Sequence, residues 1–307
     1  MILLIREATS VDSRINGNSD EPRTTILMHL SLRQIASPSV CPTDIPPMKI
    51  VNGIYCLIEG PQSAPWIVFS NSLGTNLSLW DDQVAALSRR YRILRYDQRG
   101  HGKSVVTPPP YSFPQLAGDV VNLMDSAAIE TAHFVGISMG GATGWQLALT
   151  FPERLRSLTV CDAGVSGNAA AWEERLAVVR ESGLDALIEP TLDRWFSKQA
   201  RARNSPALQD VRAMLRTTSP LGFEACVNAL QNFDYSNCLE AIKVPTLLIA
   251  GDEDGPRPKA IIKEAKRIPG ARCSVIPDAG HLSNIENPDA FNRVVADFID
   301  GVEASRR

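Results

Sequence analysis

The chain has no surplus of positive charge: 31 Lys and Arg face 34 Asp and Glu among 307 residues, a formal net charge of -3. No cluster of lysine and arginine interleaved with aromatics occurs, which argues against a nucleic-acid partner. An apolar run of membrane-spanning length is also missing. The opening Met1–Ile5 is broken by Arg6 and Glu7 and is too short for a signal-peptide core. The six cysteines form no C-x-x-C pair, and no cysteine and histidine spacing fits a zinc site. Cys56, Cys161 and Cys273 fall in apparent strands, where a free thiol acts as a small hydrophobe, so a reducing, cytoplasmic setting is expected. No G-x-G-x-x-G follows a strand, and neither metal nor cofactor is inferred. There is no internal repeat. What is present is ordinary globular composition, 44% hydrophobic and 21% charged, in a chain long enough for one large α/β domain.

Residues 1–47 differ from the rest. They are polar and patternless around Asp12 to Thr25, then proline-rich through Pro38, Pro42, Pro46 and Pro47, which predicts a poorly ordered extension with Met48 as the natural start. From Lys49 the pattern is regular: a hairpin (Ile50 to Ile58), a strand (Trp66 to Ser70), a helix (Trp80 to Arg89), a strand (Arg92 to Tyr96) and a helix (Phe113 to Ala127). Strands at Ala132 and Ser157 follow. Such alternation predicts a mostly parallel sheet with helices on both faces. Between Gly164 and Ala241 strand signals stop and helical segments take over, at Ala171 to Glu181, Leu184 to Trp195, Ala207 to Thr217 and Phe223 to Gln231. The reading is a hydrolase-type core over 48–163 and 242–303, with a helical cap over 164–241 inserted after the sixth strand. Alternation resumes with a strand at Thr246, a helix from Lys259 to Arg267, a strand at Cys273 and a last helix from Pro288 through Phe298.

The most informative stretch is His133-Phe134-Val135-Gly136-Ile137-Ser138-Met139-Gly140-Gly141, an apolar strand running into G-x-S-x-G and then a helix. In such a nucleophile elbow the serine sits on a strained strand-to-helix turn, and side chains at the two flanking glycines would strike neighbouring backbone. A hydroxyl is a weak nucleophile at neutral pH. It needs a base, and a third group must hold that base in the right tautomer and stabilise its positive charge.

Of four histidines, His29 lies in the extension, His133 lies inside the elbow strand, and His101 belongs to the polar turn Asp97-Gln98-Arg99-Gly100-His101-Gly102-Lys103-Ser104. These three read as structural. His281, in the loop Asp278-Ala279-Gly280-His281-Leu282-Ser283-Asn284, is the expected base. Asp254 and Asp162 compete for the acid, with Asp252 a distant third. Both Asp254 and Asp162 follow a strand and can lie at the carboxyl edge of a parallel sheet. Asp254 is preferred, because the α/β-hydrolase fold most often places its acid after the seventh strand, in the chain order serine, acid, histidine. The oxyanion needs backbone donors that are already oriented. Those expected are the amide of Met139, next to the nucleophile, and that of Leu73, in the loop Asn71-Ser72-Leu73-Gly74-Thr75.

From Met48 to Ile299 these residues resemble the 3-oxoadipate enol-lactonases of the α/β-hydrolase superfamily. The loop Ser70-Asn71-Ser72-Leu73-Gly74-Thr75 replaces the histidine-glycine pair usual in the superfamily and is similar to the loop of that subgroup. Further matches are Arg95 through Gly102, Arg194-Trp195-Phe196-Ser197, Thr217-Thr218-Ser219-Pro220 and Gly280 through Asn284. The resemblance implies a cofactor-free carboxylic-ester hydrolase of aromatic-compound degradation. It would open 3-oxoadipate enol-lactone to 3-oxoadipate through Ser138, His281 and Asp254. A small-molecule lactone or ester is then the partner, with no nucleic acid and no membrane; a homo-oligomer is left open.

Ser72 and Trp195 are candidate substrate contacts, the indole offering an apolar wall and one donor. Arg194, Lys198, Arg201 and Arg203 read as a solvated helix face. Three alternatives stand beside this reading. They are a carboxylesterase or lactonase for a different, larger substrate, a cofactor-free haloperoxidase or perhydrolase, and a binding protein on an inactive hydrolase fold.

Overall fold

Alternate residues on each buried strand face opposite helix layers, and this organises the molecule. The computed structural model describes residues 48–306; the expected extension, 1–47, and His29 within it lie outside the described residues. Strands β1 (Met48–Val51) and β2 (Ile54–Glu59) form the hairpin. They are followed by β3 (Trp66–Ser70), α1 (Asp81–Leu87), β4 (Arg92–Tyr96), α2 (Phe113–Ser126), β5 (Ala132–Ile137), α3 (Met139–Thr150) and β6 (Leu155–Cys161). Five helices come next: α4 (Ala169–Ser182), α5 (Ile188–Trp195), α6 (Lys198–Ala202), α7 (Pro206–Thr217) and α8 (Pro220–Gln231). The alternation then resumes with β7 (Thr246–Gly251), α9 (Arg257–Ala265), β8 (Arg272–Ile276), α10 (Ser283–Glu286) and α11 (Pro288–Ser305).

The strands form one eight-stranded sheet in the order β1-β2-β4-β3-β5-β6-β7-β8. Only the β1–β2 and β2–β4 pairings are antiparallel. All six residues of β5 are buried, as expected of a central parallel strand covered on both faces. On β3, Ile67 and Phe69 join Trp80, Phe291 and Ile299 in one apolar cluster, while Val68 joins Leu94, Val120, Trp145 and Leu248 in another. Helix α3 is buried along nearly its whole length, so its apolar residues are not confined to one stripe. A third cluster packs Leu73, Phe113 and Met139 against Leu176, Leu184 and Phe223, so the inserted helices rest on the turns at the strands' carboxyl ends.

Several helix starts follow directly from the sequence. Ser205-Pro206 and Ser219-Pro220 open α7 and α8, each serine accepting from the amide three residues on, while proline fills the first turn where no amide partner is required. The unexpected short helix α6 begins the same way, with Ser197 accepting from the Ala200 amide. Helix α11 runs beyond Phe298 to Ser305 because its buried stripe continues through Ile299 and Val302. One expectation fails. Cys56 and Cys161 are buried, but Cys273 is exposed, since β8 is an edge strand whose residues are largely open to solvent.

One of the tight backbone approaches lies where α3 leaves the sheet. A Cβ on Gly140 would stand 2.1 Å from the Ser70 carbonyl oxygen, whereas one on Gly118, in α2, would meet nothing within 4 Å. We expect Gly140→Ala to lower the midpoint of thermal unfolding by about 5–10 °C, from an overpacking cost of ~1–3 kcal/mol, and Gly118→Ala to leave it equal or higher. Equal midpoints for the two variants in one calorimetric series would contradict this packing.

Candidate active site

The strand β5 delivers Ser138 to the rim of the sheet at φ 56° and ψ -115°, a backbone that a side-chain-bearing residue seldom adopts. Two neighbours hold it there: the Ser138 amide donates to the Cys161 carbonyl at 2.8 Å, and the Gly140 amide donates to the Asn71 carbonyl at 2.9 Å. The flanking glycines are required by space. A Cβ on Gly136 would lie 2.2 Å from the Gly140 carbonyl oxygen. Ser138 itself remains partly open to solvent.

His281 comes to this serine from the loop between β8 and α10. Its Nε2 lies 2.9 Å from Ser138 Oγ and its Nδ1 lies 3.0 Å from Asp254 Oδ2. These partners assign the tautomer: Nδ1–H donates to the carboxylate and Nε2 accepts from the hydroxyl. The loop is pinned from behind, the His281 amide donating to the Trp195 carbonyl at 2.7 Å and the Gly280 amide to Glu286 at 2.7 Å. Burial by itself would raise the Asp254 pKa; His281, followed by Arg194 and Arg257, outweighs burial and holds this carboxyl below the ordinary range.

Asp162 does not reach the histidine. Its Oδ1 accepts from the Gly251 amide and its Oδ2 meets the Ser283 hydroxyl. Asp252 accepts from the Ala279 amide at 3.0 Å.

The β3 loop is built almost entirely from internal hydrogen bonds. Asn71 donates through Nδ2 to the Tyr96 carbonyl and accepts from Trp80 Nε1, both at 2.8 Å, and Gln98 donates to the Asn71 carbonyl. Gly74 turns at φ 75°, and its amide donates to His101 Nε2 at 2.7 Å. Burial lowers the His101 pKa to about 4, so the ring is neutral and its bare nitrogen can accept. Among the described residues, the Leu73 and Met139 amides donate to no protein acceptor. Ser72 is buried, and its Oγ has no partner among the described residues. His101 was read from the sequence as structural. The specific task that the fold gives it, accepting from the oxyanion-loop turn, could not be seen from a glycine-rich turn alone.

Beside Leu73 a narrow crevice, with a cavity volume of only about 10 Å³, is lined by Trp172, Arg175, Arg194, Trp195 and Phe223. Trp195 is 3% exposed and stacks on His281 with ring centroids 5.6 Å apart; its Nε1 has no partner among the described residues. Arg194 is exposed, in keeping with the expected solvated face, yet it also lines this crevice, and desolvation, reinforced by Arg175, lowers its pKa to about 10. Arg175 is lowered by burial too, and its guanidinium sits over the Trp172 ring. Neither arginine has a carboxylate in ion-pair contact among the described residues. Lys198 and Arg203 are exposed, and Arg201 pairs with Asp193. A larger groove of about 840 Å³, bordered by Asp81, Asp82, Arg203 and Asp210, includes neither Ser138 nor His281 and offers no nucleophile to a ligand. We therefore locate the chemistry by the serine and not by cavity size.

A sheet of this order, with a serine on a strand-to-helix turn, defines an α/β hydrolase. Residues 65–288 match the family described as alpha/beta hydrolase fold. The chain is 37% identical over 241 residues to 3-oxoadipate enol-lactonase 2 of Acinetobacter baylyi, covering 77% of this chain and 89% of that protein. The crystal structure of the enol-lactonase from Burkholderia xenovorans LB400 superposes with a TM-score of 0.79 at 40% identity, covering 83% of this chain and all of that one. At 33% identity, over 77% of this chain and 94% of the other, it is also similar to a Pseudomonas savastanoi pv. phaseolicola protein that carries the provisional name carbamate hydrolase RutD. The chain belongs to the 3-oxoadipate enol-lactonase family of the α/β-hydrolase superfamily and is a carboxylic-ester hydrolase.

His101→Phe keeps the ring volume but removes the acceptor beneath Gly74. We expect it to cost about 1–3 kcal/mol in denaturant unfolding, because a buried amide loses its partner, and we expect His101→Gln to recover part of that loss. Equal stabilities of wild type and His101→Phe would show that the contact contributes nothing net.

Proposed function

We propose that Ser138, His281 and Asp254 form a catalytic triad that hydrolyses 3-oxoadipate enol-lactone to 3-oxoadipate, a step of aromatic-compound degradation. The unbroken hydrogen-bond chain from Ser138 Oγ through His281 to Asp254 carries this reading. The names of the relatives support the substrate. His281 Nε2 takes the Ser138 proton as Oγ attacks the lactone carbonyl, and the Leu73 and Met139 amides stabilise the oxyanion. Collapse of the tetrahedral adduct breaks the ring C–O bond. The enol oxygen leaves with the proton from the imidazolium, and the freed enol tautomerises to the ketone. His281 then deprotonates a water that attacks the acyl-enzyme; the second adduct expels Ser138 Oγ, which recovers its proton from the imidazolium.

Helices α4 to α8 act in this proposal as a cap that excludes bulk water from the site. The lactone keeps one free carboxylate through the reaction. Arg194 and Arg175 can receive it, since an anion there restores the charge balance that the crevice lacks. Trp195 walls the ring and offers Nε1 as a donor, and Ser72 Oγ lies beside the oxyanion donors. The similarity to a protein named as a carbamate hydrolase favours one competing substrate class, a small carbamate. A carbamate ion also carries a carboxylate that the two arginines could receive, so turnover, not charge, separates the two readings.

With the lactone generated in the cuvette from muconolactone by its isomerase, wild type should consume it rapidly. Ser138→Ala should remove all enzymatic turnover and Asp254→Asn should reduce kcat by about 10⁴-fold, as loss of the orienting carboxylate does in such triads. Full activity in Asp254→Asn would sink the acid assignment. Turnover of a carbamate but not of the lactone would replace the substrate.

Arg194→Met should raise KM for the lactone by about tenfold or more while changing KM for a neutral nitrophenyl ester by less than about twofold. Trp195→Ala should likewise lower kcat/KM more for the lactone than for the ester. Equal losses on both substrates would remove the specificity roles of these two residues.

A further inference from the structure

Asp162 lost the competition for the histidine, yet it is among the most enclosed carboxyls of the molecule, at 1% exposure. It stands directly after β6 at φ 50°, its amide donating to the Ile249 carbonyl of β7 at 2.8 Å. That left-handed turn aims the carboxyl at two other segments. Oδ1 receives the Gly251 amide at 2.7 Å, and Oδ2 lies 2.6 Å from Ser283 Oγ. Gly251 closes β7 three residues before Asp254, and Ser283 follows His281 by two. We propose that Asp162 is a positioning residue that ties the acid loop to the base loop, setting the Asp254–His281 geometry without touching substrate. The proposal rests on the triad reading given above.

The same surroundings determine how Asp162 bonds. It is enclosed by β6, β7, the acid loop and the start of α10. Burial first, and then the negative charge of Asp254, push its pKa well above the ordinary carboxyl value, against the opposing influence of Ser283, the Gly251 amide and Arg257 at the start of α9. Cys161 beside it is likewise held as the neutral thiol by burial. Two neighbouring carboxyls in one enclosed site resist carrying charge together, and here the imidazole and Arg194 favour the charge on Asp254. Its Oδ1 accepts from the Gly251 amide, and its Oδ2 accepts from the Ser283 hydroxyl. An asparagine keeps nearly the same shape and can bridge the same two segments, its carbonyl taking the amide and its NH₂ reaching the serine oxygen.

Three variants test this with a small nitrophenyl ester, each also followed by thermal unfolding. Asp162→Asn should keep kcat within about threefold of wild type, since it still bridges Gly251 and Ser283; the acid limb of the kcat/KM against pH profile is followed for all three variants. Asp162→Ala and Ser283→Ala cut the tie from either end. They should lower kcat by about tenfold to a hundredfold with KM within about twofold, as loosened alignment of a base does, and move the acid limb to lower pH, because a misaligned Asp254 stabilises the imidazolium less. If Asp162→Ala does not fold, Ser283→Ala alone carries the decision. A fall in unfolding temperature with unchanged kcat per folded molecule would overturn the positioning role. Loss of Ser138-dependence in the wild type would instead defeat the triad reading, which separates the two failures.

Discussion

Ser138 keeps its left-handed backbone because three chain segments close on it at distances that only glycine permits. Gly136 passes under the first turn of α3, Gly140 lies against the Ser70 carbonyl, and the Gly140 amide is caught by Asn71. The strain at φ 56° persists because β3, β5 and β6 are hydrogen-bonded in register on either side. The same contact has a second effect. By bonding Gly140 to Asn71 it fixes the loop after β3 relative to Ser138, so in the proposed mechanism the serine hydroxyl and the backbone donors are set by one constraint. His101, Gln98, Trp80 and Tyr96 then hold the loop from the core side. A site organised in this way needs little rearrangement as negative charge develops on the substrate, which is where preorganised amides contribute most.

The charges around the site are sorted by environment more than by residue type. Asp254 and Asp162 are both buried carboxyls at the ends of adjacent strands. One faces an imidazole with arginines behind it and is held ionised. The other faces an amide and a hydroxyl, with the charge of its neighbour nearby, and is driven toward the neutral form. Arg175 and Arg194 line the crevice next to Trp195 without a carboxylate in ion-pair contact among the described residues, and Asp254 partly offsets the desolvation of Arg194.

Much of this was legible in the chain before folding. The G-x-S-x-G run after an apolar strand, the alternation of strands with helices and the loop at His281 are local patterns, and each arises from short-range sterics or periodic burial. The element limits agreed closely with the structure wherever such patterns were strong. They missed α6, which depends on a single serine cap; the strand at Cys273 is present, and only the exposure of Cys273 differs, because that depends on which strand forms the sheet edge. Arg194 reads as an ordinary surface arginine in a one-dimensional pattern; the fold brings Arg175 of α4 close to it and partly desolvates its charge.

The sequence by itself determined the fold class and singled out Ser138 as the expected nucleophile and His281 as the expected base, because these expectations rest on residue types that the local backbone demands. It preferred Asp254 as the acid only from the usual strand order of the fold, since Asp162 also follows a buried strand. Only the tertiary structure decided that Asp254 meets His281, that Asp162 joins Gly251 to Ser283, and that His101 supports Gly74. Each of these pairings brings together groups 27 or more residues apart in the chain, and their distances are set by strand order and twist.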